Sequence, residues 1–404
     1  MIRRSSLLSL GLISLLPLIA GCTRTAQQVD DNVPPFVFRS LNLRQQDKQG
    51  RPTWELTSPE ARYDVRRRLA RAIDPRGVIY KDGEPAYALE ASSGTVINDG
   101  EVILMEGSIR LRQLGKNPLL IKATRLRWYP SEELMRIDRN PEALDRQNRI
   151  LADKARFLLD KQQLELRGKP ELQRWSKRVD PLKDQSRPVP ELVIKASRAD
   201  WQPNTGLLDV RGPLNATRRP AAGSPPDQKP MTVTASALDG NTIKQEFVLK
   251  GPVNLLDPAE STTLRASRLR IDVKNNRIRS DQAFSGNRGD LLVRGQSLVV
   301  DGDNTTVRIP SGCEIDRPGE RLRAQSCSWN WKTQAVTAQG SIGLRREANQ
   351  QITRGERLSG RLGKDGQLEI TAPGGRVFSQ FKVPQRSGPA KPRRPRPKPE
   401  PIRL

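Results

Sequence analysis

The sequence of 404 residues contains no histidine. Histidine is the side chain that most often transfers protons near neutral pH and is the commonest metal ligand, so its absence removes both of these routes to catalysis. A phosphate-binding motif of the form G-x-x-x-x-G-K-S/T, a nucleophile elbow and a convergent pair of acids are also missing from the sequence. We therefore expect a protein that is not an enzyme and that carries no cofactor.

Aromatic residues are scarce, at 4% of the chain, and hydrophobic residues of all kinds make up only 35%. That content is low for a deep globular core. It suits one sheet folded over itself, because every second residue of such a sheet faces water. Helical signals are few as well: the segment from Ser58 to Ala72 has helix-forming residues but no apolar stripe. The length fits two or three domains or one elongated repeat array.

Acidic residues number 45 against 70 basic ones, which gives a net charge of +25. A charge of this size favours an anionic partner such as nucleic acid, a phosphorylated glycolipid or an anionic membrane surface. The alternative is a solvated outer face, since the basic residues are spread over the polar face of most predicted strands.

Only three cysteines are present. The first, Cys22, follows Ile19–Gly21 at the end of a short apolar segment, and two arginines precede that segment. This arrangement resembles a bacterial lipobox and predicts that Cys22 becomes the lipidated N-terminus. The apolar run is too short and too interrupted for a confident transmembrane helix, and the alternative is an uncleaved N-terminal anchor. In either case the bulk of the chain leaves the cytosol, so nucleic acid is not an expected partner.

The other two cysteines, Cys313 and Cys327, form an even pair in an exported protein and flank the turn-forming segment Arg317–Glu320. A hairpin centred there brings the two cysteines within about two residues of register, a separation that a cross-strand disulfide tolerates. The sequence therefore predicts a disulfide. The alternative is two isolated thiols on opposite faces of the hairpin.

An alanine is followed sixteen residues later by a glycine five times along the chain. The pairs are Ala91/Gly107, Ala152/Gly168, Ala196/Gly212, Ala235/Gly251 and Ala324/Gly340. The residues two and four positions on either side of each glycine are apolar in nineteen of twenty cases. A period of two on both sides of the glycine predicts a β-strand with one buried face, repeated down the chain. The glycine either lets the strand bend or fits a crowded layer of the core, and the pattern leaves both open.

Turn-forming residues lie between the two strands of each unit. They are Asn98–Gly100, Pro203–Gly206, Asn275-Asn276 and Asp301–Asn304. Each unit is therefore a predicted hairpin, and the short connections between units predict antiparallel pairing throughout. The oxygen-rich segment Asp301–Asn304 could suggest a calcium site, but it lies where the hairpin turn belongs, and we expect no metal there.

The chain divides by composition into a predicted signal peptide (1–21), a polar tether (22–37), two regions of β-repeats (38–220 and 221–383) and a tail (384–404). The tail is rich in proline, lysine and arginine, which predicts an extended segment without a core. It is either simply solvated or in contact with anionic lipid or cell-wall polymer.

Four motifs occur in order near the start of the repeats: Leu41-x-Leu43, Gly50-Arg51-Pro52-x-Trp54-x-Leu56, Leu89-x-Ala91-x-x-Gly94 and Val102-x-Leu104-x-Glu106-Gly107-x-Ile109-x-Leu111. With these motifs, the region from Phe38 to Gln113 resembles the start of an LptC domain, and the later repeats resemble the LptA/OstA group. Both belong to the periplasmic bridge proteins of lipopolysaccharide transport.

The resemblance implies an all-β fold: an elongated antiparallel β-jelly-roll, or taco-shaped sheet, open along one seam. Its apolar interior would hold the acyl chains of lipopolysaccharide and pass them toward the outer membrane. The predicted lining residues are Ile103, Met105, Ile109, Leu164, Leu166, Leu208, Val210, Phe247, Leu249, Val253, Val336 and Ile342.

The implied partners are an inner-membrane ABC exporter complex, which supplies the energy, and an LptA-like or outer-membrane β-jelly-roll protein that adds a strand at an open sheet edge. The expected location is the periplasm, anchored at the inner membrane. The alternative function is a structural envelope lipoprotein that links membrane and cell wall through a closed β core and binds no ligand.

Overall fold

The computed structural model describes residues 36–115, 118–183, 187–220, 223–348, 350–362 and 366–382. Over these ranges the chain is an all-β protein of antiparallel strands, as the alternating pattern predicts, with two short 3-10 turns at Asn98–Gly100 and Pro130–Glu132. The strands are β1 (Phe36–Gln46), β2 (Pro52–Asp64), β3 (Leu69–Ile73), β4 (Arg76–Lys81), β5 (Glu84–Glu90), β6 (Ser93–Ile97), β7 (Val102–Gln113), β8 (Leu120–Tyr129), β9 (Leu134–Arg139), β10 (Glu142–Leu144), β11 (Asn148–Leu151), β12 (Lys154–Leu158), β13 (Gln163–Arg167), β14 (Glu171–Arg174), β15 (Leu192–Lys195), β16 (Arg198–Trp201), β17 (Leu207–Arg218), β18 (Met231–Asn241), β19 (Glu246–Asp257), β20 (Thr262–Asp272), β21 (Arg277–Ser280), β22 (Phe284–Arg288), β23 (Leu291–Gly295), β24 (Leu298–Asp301), β25 (Thr306–Ile309), β26 (Cys313–Arg317), β27 (Glu320–Ala324), β28 (Ser326–Asn330), β29 (Ala335–Arg346), β30 (Gln351–Arg361), β31 (Leu368–Thr371) and β32 (Phe378–Gln380).

Long and short strands have different places in the sheet. A long strand such as β7 pairs along one half with β5 and along the other half with β6, and β17 does the same with β15 and β16. The short strands therefore form two ladders side by side, joined by the long strands. We call the ladder through β4, β5, β10, β11, β14, β15, β22, β23, β26 and β27 the first wall. The second wall runs through β3, β6, β9, β12, β13, β16, β21, β24, β25 and β28.

The two walls face each other across a shared interior. The inward-facing residues of both walls belong to one continuous apolar cluster, and side chains of Trp54 in the first wall and Trp128 in the second are in contact. The fold is thus one sheet bent along its length into a trough. The turns between short strands form two rows, which we call the first rim and the second rim, along the free margins of the respective walls.

The repeated glycines lie at the bends between the walls. At all five, φ lies between +74° and +90°, and none of the five is buried. The pairing register shifts at four of them. A Cβ on Gly212 or Gly251 would also overlap the hydroxyl of Ser197 or Ser236, the residue after the repeat alanine. Glycine is required here for a left-handed bend and a close approach, and the alternative of a crowded core layer is not what the structure shows.

Replacing Gly212 by alanine is expected to lower the free energy of unfolding by about 1–3 kcal/mol, because the new Cβ is strained at this φ and meets Ser197. Chemical denaturation checks this value. Gly343→Ala is the matched control: Gly343 lies on a long strand too, without a positive φ and with nothing within 4 Å of its Cβ position. Equal losses for the two variants would contradict the role given to the bend.

The outer faces of the walls carry charged pairs. Arg127 donates to both carboxylate oxygens of Asp138 at 2.9 and 2.8 Å, and Arg323 donates to Glu314 at 3.1 and 3.0 Å. Such exposed pairs contribute little to stability, and the arrangement is that of a solvated outer surface.

Several predicted segments lie outside the described residues: the signal peptide (1–21), the lipidation site Cys22 and the tail (384–404). Strand β1 begins at Phe36, so the last two residues of the predicted tether are in the sheet.

The predicted boundary between residues 220 and 221 does not divide the sheet, because β17 and β18 pair along most of their lengths on either side of it. None of the helical segments in the described ranges has the length and apolar content needed to cross a bilayer.

Candidate functional site

The candidate site is the interior of the trough. Eleven of the twelve predicted lining residues are buried there, and Phe247 is partly buried against them. Nine lie on the second wall, and Ile109, Val253 and Ile342 lie on the first. The residues that the alternation marks therefore face the interior, and Ile103 and Met105 are 0% exposed there. Their contact with a lipid stays a prediction.

A cavity of about 770 Å³ lies between the two rims over the first part of the trough. Its margins are the turns around Asp47 and Asp82 on the first rim and those around Gly100, Ser131 and Asp160 on the second. Its floor is aromatic, formed by Trp54, Tyr87 and Trp128.

Two aromatic pairs close the trough beneath this cavity. The ring centroids of Trp54 and Trp128 are 5.7 Å apart at an interplanar angle of 70°, and those of Tyr87 and Phe157 are 5.6 Å apart at 85°. Each pair joins the first wall to the second in the edge-to-face geometry that aromatic rings prefer. Burial raises the pKa of Tyr87 to about 12, because its phenolate would be poorly solvated between the walls.

Hydrogen bonds also connect the two rims in this part of the trough. The Nε2 of Gln113 on the first rim donates to Oδ1 of Asn204 on the second at 2.9 Å, and the Nδ2 of Asn204 donates to Oε1 of Gln162 on the same second rim. The Nζ of Lys81 donates to the carbonyl oxygen of Asp160 at 3.3 Å. We call the two aromatic pairs and these hydrogen bonds the clasp. It holds the walls together between β2 and β17.

Farther along the chain, the inward-facing residues near the rims are less covered. On the second wall these residues are partly buried where their counterparts between β2 and β17 are buried, whereas on the first wall Leu172, Ile194 and Ala216 of that earlier section are partly buried too. In the later part these residues are Met231, Leu255 and Leu264 on the first wall and Phe247, Ile271, Ile278, Val300 and Val307 on the second. We call the trough between β18 and β25 the open section.

A disulfide joins Cys313 and Cys327, whose Cα atoms are 5.9 Å apart. The turn at Arg317–Glu320 lies where the sequence places it, but Cys313 pairs with Ala324 across the hairpin. Cys327 lies on the following strand, beyond the bend. The bond therefore connects the first wall to the second near the bottom of the trough.

The oxygen-rich segment Asp301–Asn304 forms a hairpin turn. Both carboxylate oxygens of Asp301 accept hydrogen bonds from Asn304, one from its backbone N–H at 3.1 Å and one from Nδ2 at 3.0 Å. The backbone hydrogen bond is the main cause of a lowered pKa for Asp301. In the described ranges, no group of three or more acidic, cysteine or histidine side chains is arranged to hold a metal ion.

Each end of the sheet presents an edge. Within the described residues, β1 pairs only with β2, while β31 and β32 pair only with β30. Exposed apolar residues accompany both edges: Phe36, Val37 and Phe38 on β1, and Phe378 and Phe381 near the other end. Unpaired edges with apolar side chains are suited to the addition of a strand from another chain.

Comparison with known proteins places the first part of the chain in context. Residues 6–172 match the family model described as lipopolysaccharide-assembly, LptC-related, and proteins of that family are periplasmic components of lipopolysaccharide transport. No curated protein sequence matches the chain. Among solved structures, the chain is similar to LptH, the LptA homologous periplasmic component of the conserved lipopolysaccharide transport device from Pseudomonas aeruginosa. The identity is 12% and the TM-score 0.26, over 36% of this chain and 94% of that one.

Proposed function

Because residues 6–172 match the LptC-related family model, we propose that the protein is a membrane-anchored periplasmic component of lipopolysaccharide export. It accepts the acyl chains of the lipid in the apolar trough and passes them along a bridge toward the outer membrane. The observation that carries this proposal is the single apolar interior that runs between two facing walls from the first repeats to the last.

The physical basis is the transfer of acyl chains from water into that interior. Burial of a chain contributes about 0.8 kcal/mol per CH₂ group, so a trough lined by aliphatic and aromatic residues retains a long chain without specific polar contacts. The apolar lining is continuous from repeat to repeat, which lets a chain move from one repeat to the next. The polar head group stays in water above the rims.

The energy for transport has to come from a partner, because the sequence carries no nucleotide-binding motif. We propose that an inner-membrane ABC exporter loads lipopolysaccharide into the trough. A partner with an LptA-like or outer-membrane β-jelly-roll fold then continues the bridge by pairing with an edge of the sheet, at β1 or at β31 and β32. Anchoring by Cys22 or by an uncleaved N-terminal segment keeps the protein at the inner membrane.

The second candidate is a structural envelope lipoprotein with a closed β core and no ligand. The burial of eleven of the twelve predicted lining residues favours it. The two candidates differ in what a probe inside the trough contacts during transport.

Photocrosslinking in a reconstituted exporter separates the two candidates. The photoreactive amino acid p-benzoylphenylalanine would replace Phe247, whose ring already faces the trough, and in a control the adjacent outward-facing Val248. We expect lipopolysaccharide adducts at position 247 that depend on ATP, and none at position 248. The absence of adducts at both positions, in a protein that is folded and membrane-anchored, would favour the structural lipoprotein.

A further inference from the structure

The trough is not uniform along its length. Resting on the function proposed above, we infer that acyl chains reside in the open section between β18 and β25. The section between β2 and β17, the clasped section, is held shut by the clasp, and the cavity between its rims lies above the clasp with a mostly polar and charged lining. The lipid therefore has its binding site in the part of the chain that follows the region matched by the LptC family model, and the clasp has to open before acyl chains enter the first section.

One position of the repeat shows the difference most directly. The residue five places after the alanine or glycine that opens a unit lies on the second wall and faces inward. In the clasped section, this residue is Val96, Trp128, Phe157 or Trp201, and these side chains are 1–3% exposed. In the open section, the same position holds Ile271 or Val300, and both are partly buried. Because the wall and the direction are the same, the difference arises from what lies opposite.

The opposite wall differs in the two sections. In the clasped section, Trp54 and Tyr87 of the first wall fill the space in front of Trp128 and Phe157. In the open section, Leu255 and Leu264 of the first wall are partly covered, as Leu172 and Ile194 are toward the end of the clasped section, and the second wall opposite them is now partly covered too, so both walls leave apolar surface near the rims. After residue 207, no hydrogen bond, ion pair or aromatic pair joins the two rims in the ranges that the structure describes.

Three inward-facing tryptophans carry ring nitrogens that point to the kind of occupant. The Nε1 atoms of Trp128 in the clasped section, and of Trp201 and Trp329 on either side of the open section, are buried and have no hydrogen-bond partner in the described structure. A buried donor without an acceptor costs free energy, and a plain hydrocarbon would leave these donors unsatisfied. Ester and amide carbonyls or hydroxyl groups near the head of an acyl chain supply the missing acceptor. The chemistry therefore fits an acylated glycolipid.

Matched photocrosslinking tests the division of the trough. The benzophenone amino acid would be placed at Phe157, Ile271 and Val300 in turn, with purified lipopolysaccharide as the probe and circular dichroism to verify folding. We expect several-fold more adduct at Ile271 and Val300 than at Phe157. Equal labelling at all three positions would overturn the division and leave the proposed function standing. Labelling at none of them, in folded protein, would overturn the proposed function itself.

The clasp is tested by removing its central amide. Asn204→Ala loses the hydrogen bonds to both Gln113 and Gln162, and we expect adducts at Phe157 to increase several-fold in this variant. The control is Asn304→Ala, which removes an asparagine from an equivalent turn of the second rim in the open section, where its side chain donates only to Asp301. If labelling at Phe157 does not increase, or increases equally in the control, the clasp does not hold the section shut.

Discussion

Replacing Trp128 by alanine is expected to lower the free energy of unfolding by about 3–5 kcal/mol, the largest single loss that we foresee for a side chain in this protein. Trp128 is 1% exposed, and its ring contacts Trp54 across the trough. Truncation removes the apolar surface of the ring and leaves a cavity beneath the seam that the two walls cannot fill without moving together. Equilibrium unfolding in urea or guanidinium measures the loss.

Trp331→Ala is the matched control for this prediction. Trp331 also packs against the core cluster, but it lies in a turn of the second rim and is only partly buried. A loss of about 1 kcal/mol is expected there, the size typical of substitutions outside a close-packed core. If both tryptophan variants lose stability equally, the section between β2 and β17 is not the tightly packed part of the trough, and the clasp has little energetic weight.

The all-β fold could be predicted because its signal is local. An inward-facing strand shows its period of two within five residues, as at Ile103 and Met105, and burial follows directly from that alternation. Hairpin turns such as Asn98–Gly100 are local too, because their backbone requires residues that tolerate a positive φ. The same reasoning left the role of the repeat glycines undecided, since a bend in the strand and a crowded core layer would both place glycine at this position of the pattern.

The two-wall arrangement could not be predicted from the same pattern. The division of β7 between β5 on one wall and β6 on the other depends on which strands pair, and pairing is decided by contacts between repeats. The hydrogen bonds of the clasp depend on residues that are even farther apart in sequence, since Gln113 and Asn204 are separated by 91 residues. Neither side chain has a partner that its own neighbourhood in the sequence would indicate.

The contrast between the clasped and open sections was missed for a related reason. Phe157 and Val300 occupy the same position of the repeat and both look like lining residues. Only the side chains on the opposite wall determine that the first is 1% exposed and the second partly buried. The aromatic content of the early repeats was a partial signal, because a ring at this position is large enough to reach across a narrow trough, although Val96 is buried at the same position without one.

Removal of the disulfide is expected to produce the second large loss, about 3 kcal/mol, in the variant with Cys313→Ser and Cys327→Ser. The bond closes a loop with a sequence separation of 14 residues, and loss of a constraint of that length costs about this much through the entropy of the unfolded chain. Because the bond joins the two walls, the loss should be largest for the last repeats, where the clasp does not reach. Denaturation with and without a thiol reductant measures it.

Reduction of the wild-type protein should reproduce the loss seen in the double serine variant, and the reductant should have no further effect on that variant. Labelling of Val300 by a photocrosslinker placed there should persist after reduction, because the rims of the open section are held by neither the disulfide nor the clasp. A wild-type protein whose unfolding is insensitive to reductant would show that the walls near Cys313 and Cys327 are fixed by packing alone. In that case, the bends at the repeat glycines and the apolar interior would be sufficient to keep the trough in shape at that end.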